Sequence, residues 1–445
     1  MCNNTGNNIS ISSFLLLLIL IAASCSVTKP AANDPKDLSY IYNPLLNPIN
    51  PEFRVYNETA GNSILSVKLR AGDLFFSEAN PSGEPLASLT ITVRLYNDTQ
   101  GGVLSDTAFL RQELNRKLIL PEVVLDIPLR TNEDIEYTAE VRIMDNLNRR
   151  IVQTFVKFDR LSPYSRYSFK VRNHLDGTDV FSPVLTTDQY VNLLYPGKAV
   201  DTMYIFYFRY FDYVPYPPSM MLPERTMPGE PERMLKIPWS DTLPVMFPGK
   251  GIFLCSIDSN NIEGYTFLNF GSEYPGLSRP ETMIEPLAYI ATPDEMNAMR
   301  SAEKAKIAVD EFWLSRSTNI ERSRELLRIY YNRVQFANYY FTSYKEGWRT
   351  DRGMIYIIYG PPDKVYKNRE GEQWGYKKPV IKKSWGMRYR VQEEYLWFNF
   401  RRNPNRFTSE DYYLNRSDAT PTFWDNAVAD WRKGIVFRLD NPQDF

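Results

Sequence analysis

Residues 347–363 read GWRTDRGMIYIIYGPPD and combine, in one short stretch, signals for a helix end, a buried segment and a tight turn. Gly347 stands where a left-handed residue commonly ends a helix. The run 354–359 is apolar and rich in isoleucine and tyrosine, which predicts a buried strand. Gly360 and the two prolines that follow predict a sharp turn after it. This stretch is therefore expected to form a helix end, a turn, a strand and a second turn.

Two helices are predicted before this stretch. The sequence TPDE at 292–295 has the pattern of a capping box with proline at the first helical position, and it predicts a helix that continues to residue 315. The sequence TNIE at 318–321 is a second capping box. Apolar residues of period 3.6 follow it and predict a helix that continues to residue 345.

The stretch resembles the GWxTD-domain family of bacterial envelope proteins, which are often lipid-anchored. The naming residues are present, and the likeness extends upstream to PLAYI at 286–290 and DEFW at 310–313. The resemblance implies β-sandwich domains followed by a C-terminal module, and it implies no particular reaction. The residues that form the motif in this sequence are Gly347, Trp348, Thr350, Asp351, Arg352, Gly353, Gly360, Pro361, Pro362 and Asp363.

The polar residues of the motif have an interpretation as parts of the fold. Trp348 is large enough to cover a helix end. Thr350 or Asp351 can accept hydrogen bonds from free backbone N–H groups at a turn. Arg352 can form a bidentate ion pair with Asp351, Glu346 or Asp363 and so fix the turn. We therefore expect the motif to be structural.

The opposing interpretation is catalytic. Asp351 and Asp363 could serve as a pair of carboxylates in a hydrolase, but a strand between them would hold them about 25 Å or more apart. The one histidine, His174, lies near Asp176 and Asp179, a pattern more typical of a turn than of a base or a metal ligand. The sequence has no nucleophile elbow, zinc-protease or Walker motif. No cofactor, no metal and no enzymatic activity are predicted.

The part of the chain before the helices has a period of two. Residues 63–69, 88–96, 136–144 and 151–158 alternate apolar and polar side chains, as half-buried strands do. Further strands are predicted at 166–171, 203–211, 251–257 and 264–270. We predict a multidomain, mainly β fold with two antiparallel β-sandwich domains, 53–160 and 161–291. A helical segment and a small α/β C-terminal module, 292–445, follow.

Residues 213–238 (YVPYPPSMMLPERTMPGEPERMLKIP) contain seven prolines and four methionines. Proline removes backbone donors, so we expect an irregular excursion from the second sandwich. Methionine adapts to varied partners, which favours a partner-binding loop; a cover over the sandwich edge is the alternative. The candidate partner-binding residues are Tyr213, Tyr216, Met220, Met221, Met227 and Met234.

Residues 377–390 carry six basic side chains and no acidic one. In an envelope protein this cluster could contact lipid headgroups, cell-wall polymer or an acidic partner; a solvated hairpin balanced by nearby glutamates is the alternative. Its candidate binding residues are Lys377, Lys378, Lys382, Lys383, Trp385, Arg388 and Arg390.

The N-terminus predicts export and lipidation. Residues 14–23 (FLLLLILIAA) have the length of a signal-peptide core and are too short for a permanent membrane span. Small residues then precede Cys25, as in bacterial lipoprotein signals, so we predict a signal peptide at 1–24, a palmitate-type lipid anchor on Cys25 and a tether at 25–52. By resemblance to the lipoprotein sorting rule, a serine rather than an aspartate after Cys25 favours the outer membrane. No acidic cluster follows Ser26, so the periplasmic face is preferred over the cell surface. Cleavage with Cys25 as a bystander is the alternative.

Composition limits the function further. The 52 basic and 53 acidic residues nearly cancel, so no overall field attracts nucleic acid. Aromatic residues make up 14% of the sequence, as suits β cores and protein interfaces. We expect a non-enzymatic, outer-membrane-anchored lipoprotein that binds other envelope proteins in a hetero-complex for outer-membrane protein assembly, secretion or surface machinery. A glycan or cell-wall binding module is the alternative, and a hydrolase that uses Asp351 and Asp363 is a weaker one.

Overall fold

The structure is a computed structural model that describes residues 37–43, 49–77, 85–118, 120–196, 200–221, 227, 229–368, 370–378, 394–416 and 422–439. The chain divides into two units, Met1–Asp37 and Leu38–Phe445. Only Asp37 of the first unit is among these residues, so the predicted signal peptide, Cys25 and most of the predicted tether lie outside them. Within the described part of the chain, no helix has the length and apolar character needed to span a membrane.

Two antiparallel sheets follow the N-terminal segment and enclose one core. Their strands contribute inward-facing aliphatic residues such as Leu65, Ile91 and Val141, which are fully buried. The alternation of buried and exposed positions is the period-two pattern of the sequence. The first sheet contains β1 (Glu52–Thr59), β2 (Asn62–Arg70) and β5 (Glu122–Arg130), and the second contains β3 (Leu86–Asn97), β4 (Val103–Asn115), β6 (Glu136–Asp145) and β7 (Ile151–Asp159).

A second pair of antiparallel sheets encloses a core of aromatic and aliphatic residues that includes Phe169, Phe253 and Phe267. The opposite face of the larger sheet packs against the C-terminal part of the chain through Phe208, Leu254, Tyr344 and Phe407. The smaller sheet has the order β12 (Pro244–Val245), β9 (Val191–Leu194) and β8 (Lys170–Asn173), and the larger has the order β11 (Arg233–Pro238), β10 (Thr202–Phe208), β13 (Gly251–Ser256) and β14 (Tyr265–Asn269).

Two predictions for this region are wrong in detail. The strand expected at 166–171 is instead a 3₁₀ turn, Arg166–Ser168, followed by β8. The excursion expected to be irregular throughout 213–238 ends in a regular strand, because β11 pairs with β10 over six residues. Prolines are absent from the interior of that strand, and Pro238 is its last residue, where a missing donor is tolerated.

The helical part of the chain contains α1 (Pro280–Ile284), α2 (Pro293–Arg300), α3 (Ala305–Leu314) and α4 (Ile320–Phe341). The capping box at 292–295 is confirmed, since Thr292 and Glu295 exchange side chain to backbone hydrogen bonds. The single helix predicted to residue 315 is two helices, because the chain turns at 301–304 and lets α2 and α3 face one core. Helix α4 starts one residue later than predicted, with Asn319 as its cap, and ends at Phe341.

The apolar run of the motif is a helix and not a strand. Residues Gly347–Arg349 form a 3₁₀ turn, and α5 (Asp351–Tyr359) follows directly. Every residue of α5 is buried. A short, continuous apolar run has the same pattern in a buried strand and in a buried helix. The prediction of a strand here, and of Gly347 as the end of the long helix, is therefore wrong.

A third antiparallel sheet and a last helix complete the core around α4 and α5. The last helix is α6 (Trp424–Arg432). With four further strands here, the predicted mainly β architecture with a C-terminal α/β module is confirmed. The sheet has the order β15 (Lys364–Lys367), β16 (Gly371–Lys377), β17 (Tyr395–Arg402) and β18 (Tyr412–Leu414).

Candidate functional site

Thr350 starts helix α5. Its hydroxyl Oγ1 accepts a hydrogen bond from the Gly353 amide (3.0 Å) and donates one to the Gly347 carbonyl (2.7 Å). This is the N-cap arrangement that satisfies an otherwise free amide in the first helical turn. Thr350 therefore accepts a hydrogen bond from a backbone N–H at the turn, as the sequence predicted.

Two glycines of the motif are required by close backbone contacts. A Cβ atom on Gly347 would lie 2.0 Å from the carbonyl oxygen of Ala337, and one on Gly353 would lie 2.0 Å from that of Gly347. Both distances are far inside van der Waals contact. The glycines let the 3₁₀ turn pack against α4 and let α5 start directly above it.

Trp348 and Arg349 share one carboxylate. The indole Nε1 of Trp348 donates to Glu346 Oε2 at 2.8 Å, and Arg349 Nε donates to the same oxygen at 2.9 Å. The guanidinium carbon of Arg349 lies 4.1 Å from the centroid of the Trp348 ring, within cation–π range. Arg349 also donates to the Asp212 carbonyl and so ties the start of the 213–238 segment to the motif.

Asp351 is held by Arg416, which comes from the loop after β18. Arg416 Nη2 lies 2.7 Å from Asp351 Oδ1, and the Leu414 amide donates to Asp351 Oδ2 at 2.8 Å. Arg416 Nη2 also donates to the Tyr216 carbonyl at 2.9 Å. The carboxylate therefore joins α5, β18 and the proline-rich segment.

Arg352 pairs with Glu372 of β16, and none of the three predicted partners holds it. The Arg352 Nη1 to Glu372 Oε1 distance is 3.1 Å, and both side chains are almost fully buried. Lys367 Nζ lies 3.0 Å from Glu372, and the hydroxyl of Tyr42 and the indole N–H of Trp374 also donate to it. Burial raises the pKa of Glu372, but the charges of Lys367 and Arg352 outweigh it and hold the pKa at about 2.

The end of α5 is closed by an arginine from α4. Arg333 Nη1, from α4, donates to the carbonyls of Ile357 and Ile358 at 2.9 and 3.0 Å. A cation at the C-terminal end of a helix interacts favourably with its dipole. Burial lowers the pKa of Arg333 to about 10. Gly360 has a φ of 88°, and a Cβ there would lie 2.8 Å from the guanidinium, so glycine is required at this turn.

The second aspartate of the proposed catalytic pair has a different environment. Asp363 is exposed, and its carboxylate accepts a hydrogen bond from the Lys377 amide at 2.8 Å. Since a helix and not a strand follows Asp351, the separation of about 25 Å expected for an extended chain does not apply. Pro361 is exposed and Pro362 is buried at the same turn.

The acidic side chains of the motif are occupied by hydrogen-bond donors. Glu346, Asp351 and Glu372 each contact a guanidinium within 3.1 Å. His174 is exposed, and its Nδ1 lies 2.9 Å from Asn192 Oδ1, in the turn where the sequence predicts it. Within the described ranges, no three His, Cys, Asp or Glu residues are grouped so as to hold a metal ion. The arrangement stabilises the helix and sheet junction, and of the two motif aspartates Asp351 is buried in an ion pair whereas Asp363 is exposed.

The residues of the methionine- and proline-rich segment separate into two groups. Tyr213 and Tyr216 are half-buried, with Lys345 Nζ 5.6 Å from the centroid of the Tyr213 ring, and Met227 packs on the core that the second sandwich shares with Tyr344. Met220, Met221 and Met234 have 48%, 74% and 48% of their surface exposed. The first group anchors the segment, and the second presents apolar surface to solvent.

Two residues of the basic cluster, Lys377 and Lys378, are among the described residues. Lys377 ends β16, and the Lys378 amide donates to the Glu394 carbonyl at 2.8 Å. Both side chains are half-buried. Lys382, Lys383, Trp385, Arg388 and Arg390 lie outside the described residues, as does Cys25.

A crevice of about 760 Å³ lies where the two sandwiches meet the helical part of the chain. Lys68, at its wall, is paired with Glu52 at 3.1 Å. The buried hydroxyl of Thr266, also at the wall, has no hydrogen-bond partner. The aromatic wall residues are Phe53, Phe181, Tyr265, Tyr274, Tyr339, Tyr340 and Phe407.

The sequence did not indicate four residues that hold the motif. Arg416, Glu372, Arg333 and Tyr42 are distant from the motif in sequence, and each contacts it only through the tertiary fold. No local signal identifies such partners. An excess of charged residues next to the apolar run was the one available sign that buried ion pairs would be needed.

A family model for the GWxTD domain matches residues 251–433. The match starts at the first residue of β13 and ends just after α6, so it includes two strands of the second sandwich. Residues 251–433 are therefore a GWxTD domain, as the motif predicted. No curated protein sequence matches the chain significantly.

The solved structures that are similar include two from Bacteroides. A Bacteroides uniformis beta-glucuronidase 2, covalently bound to cyclophellitol-6-carboxylate aziridine, has 14% identity and a TM-score of 0.17, and the match covers 26% of this chain and 14% of that one. A glycosyl hydrolase family 2 member from Bacteroides cellulosilyticus has 11% identity and a TM-score of 0.18, over 26% of this chain and 15% of that one. This chain therefore matches about one seventh of the length of those proteins.

Proposed function

We propose that this chain, which carries a GWxTD domain over residues 251–433, is a non-enzymatic lipoprotein of the outer membrane whose folded part binds another envelope protein. It would act as an accessory subunit of a complex for outer-membrane protein assembly, secretion or surface machinery. The acyl chains on Cys25 would hold it to the membrane. The anchor part of the proposal rests on the sequence of residues 14–25.

The observation that carries the proposal is the exposure of Met220, Met221 and Met234 in a segment that is otherwise tied to the core. The transfer of exposed apolar side chains from water into a protein interface is favourable. Methionine side chains also adapt their shape to a partner at low cost. Because Arg349 and Arg416 hold the carbonyls of Asp212 and Tyr216, the segment has a fixed base from which to present these residues.

The non-enzymatic part of the proposal is supported by the state of the motif. Glu346, Asp351 and Glu372 are each paired with an arginine and largely buried. A general acid or base needs an accessible carboxylate with a pKa near the working pH, and the pKa of Glu372 lies at about 2. The motif is better suited to holding a helix against a sheet than to proton transfer.

Purification of the full chain from detergent-solubilised outer membranes tests the proposal. We expect a companion protein at a fixed molar ratio, measured by mass spectrometry and by light scattering on the eluted complex. A lone monomer in a mild detergent would contradict partner binding. Peptidoglycan binding that is lost in Trp385→Ala and Lys382→Ala would instead favour the cell-wall alternative.

The anchor is tested separately with Cys25→Ser. We expect this variant to move from the membrane fraction to the soluble fraction, because a serine cannot carry the thioether-linked lipid. Retention of the variant in the membrane fraction at the wild-type level would contradict lipid anchoring through Cys25. Cys255→Ser is the matched control, since Cys255 is fully buried in the second sandwich and is not expected to affect fractionation.

A further inference from the structure

Strand β11 is an edge strand with one open side. Among the described residues it is the terminal strand of the sheet with the order β11, β10, β13 and β14, so β10 is the one described strand that pairs with it. The Trp239 amide donates to the Asp201 carbonyl at 2.9 Å, which fixes the alternation of the antiparallel pair. Odd-numbered residues of β11 therefore bond to β10, and Met234 and Lys236 direct their backbone N–H and C=O groups away from the sheet.

The side chains on this edge do not cover it. Arg233, Met234, Leu235 and Lys236 are all exposed, and Leu235 has 49% of its surface in contact with solvent. Met234 and Leu235 point to opposite faces of the sheet, because neighbouring residues in a strand alternate. An added strand would thus gain apolar contacts on both faces as well as backbone hydrogen bonds.

The open stretch has defined ends. The Glu232 amide donates to the Tyr207 carbonyl at 2.9 Å, although Tyr207 is opposite Arg233 in the register, so a bulge stops regular pairing there. Pro238 lacks an amide hydrogen and stops it at the other end. Natural proteins use bulges and prolines to protect edge strands, but here they leave the residues between them open.

The charged side chains of strand β11 are all basic. The strand carries Arg233 and Lys236 and no acidic residue. Lys236 forms no ion pair among the described residues, whereas Glu232, next to the strand, is paired with Arg209 at 2.7 Å. An incoming strand with a carboxylate opposite Lys236 would therefore complement this edge.

We propose that β11 binds an extended segment of the partner protein as an additional β-strand, with an acidic side chain placed opposite Lys236. Backbone hydrogen bonds from Met234 and Lys236 would supply affinity, and the flanking side chains would supply selectivity. The inference rests on the proposed function, since it names how the partner is held.

A synthetic peptide tests the inference on the full chain. The probe is an eight-residue, fluorescently labelled peptide of alternating valine and threonine with one central glutamate, and binding is followed by fluorescence anisotropy. We expect saturable binding with a Kd below about 1 mM. The same peptide with N-methyl groups at alternate amides should not bind, because it cannot form the ladder. Absence of saturable binding by the unmethylated peptide would overturn the inference.

Two variants separate the backbone contribution from the charge. Lys236→Pro removes an outward-facing amide, and the pairing with β10 does not use that amide. Lys236→Ala keeps the amide and removes the charge. We expect Lys236→Pro to abolish peptide binding and Lys236→Ala to weaken it several-fold, with thermal unfolding confirming that both are folded. Equal binding by wild type and Lys236→Pro would overturn the inference.

Two further measurements complete the test: amide hydrogen exchange, which reports on the backbone of β11, and sedimentation, which reports on self-association of the chain. Peptide binding should slow amide exchange at Met234 and Lys236 while leaving Leu235, already bonded to β10, little changed. Self-association that is lost in Lys236→Pro would overturn the assignment to a partner and assign the edge to a second copy of the chain. If a companion protein still co-purifies with Lys236→Pro at the wild-type ratio, this inference fails and the proposed function stands. If wild type has no companion, the proposed function fails.

Discussion

The GWxTD motif and the methionine-rich segment beside it use the same kinds of residues in opposite ways. At the start of the motif, Arg349, Asp351 and Arg352 are buried and each is matched by a counter-charge, as with Arg352 and Glu372 at 3.1 Å. In the segment, apolar side chains such as Met221 are exposed and a strand edge is open. Removing one partner of a buried ion pair leaves an uncompensated charge and destabilises a fold strongly, whereas exposed apolar surface is available for binding. The proposed binding function therefore belongs to the segment and not to the more noticeable motif.

The largest effect on stability is expected when the carboxylate of Glu372 is removed. Glu372→Gln leaves Arg352 and Lys367 without a counter-charge in the core, and we expect the free energy of unfolding to fall by about 3–5 kcal/mol. Glu370→Gln, two residues away and exposed, should change it by less than about 0.5 kcal/mol. Urea unfolding followed by tryptophan fluorescence measures both. Similar values for the two variants would show that the buried ion cluster does not hold the fold.

Low pH should lower the free energy of unfolding by nearly as much as the Glu372→Gln substitution does. The pKa of Glu372 is about 2 in the folded chain against an ordinary value of 4.5, so protons bind more tightly to the unfolded state. The stability that this group contributes is present above about pH 4.5 and is lost as the pH falls toward 2, a change of about 3 kcal/mol. Urea unfolding from pH 7 to pH 2 tests this. A Glu372→Gln profile as steep as that of wild type would contradict the assignment to Glu372.

Close packing at the motif glycine is the next test. A methyl group on Gly347 meets the Ala337 carbonyl at 2.0 Å, whereas one on Gly61, in the turn between β1 and β2, meets nothing within 4 Å. We expect Gly347→Ala to cost about 1–3 kcal/mol of unfolding free energy. Gly61→Ala should be close to neutral. The prediction is contradicted if thermal unfolding shifts by the same amount in both variants.

The smallest effect on stability is expected in the segment. Replacing Met221 and Met234 together by serine should change the free energy of unfolding by less than about 0.5 kcal/mol for each site, because both side chains are exposed. Phe109→Ser on β4, with 67% of the side chain exposed, is the matched control at a different apolar site. Recovery of the companion protein should fall for the methionine variant and not for the control. Loss of the companion in Phe109→Ser alone would instead place the binding surface on the first sandwich.

The sequence predicted local features of the fold better than distant ones. The first sandwich was predictable because half-buried strands alternate, and the cap at Thr292 was predictable because it depends on residues three apart. The α5 helix was missed because Met354–Tyr359 is buried on all sides and shows no periodicity. The partner of Arg352 was missed because Glu372 is brought to it by the fold of β16, and nothing near Arg352 in the sequence indicates that.

The candidate site was predictable to a smaller extent. Composition indicated the exposed methionines of the segment, but Tyr213 and Tyr216 are half-buried and do not form its outer surface. The strand β11 was missed because prolines on either side of residues 232–237 masked a regular pattern. Pairing with β10 overrides that local signal through tertiary contacts.

The most direct measurement is the molar ratio of companion protein to chain, taken from detergent-solubilised membranes for Asp351→Asn and for the double variant Met221→Ser with Met234→Ser. Asp351→Asn weakens the ion pair with Arg416, so it should lower the thermal midpoint while the protein that remains folded keeps the wild-type ratio. The double variant should keep the midpoint and lose most of the companion. A loss of the companion in Asp351→Asn at an unchanged midpoint, with the double variant unaffected, would contradict the account by placing function in the motif.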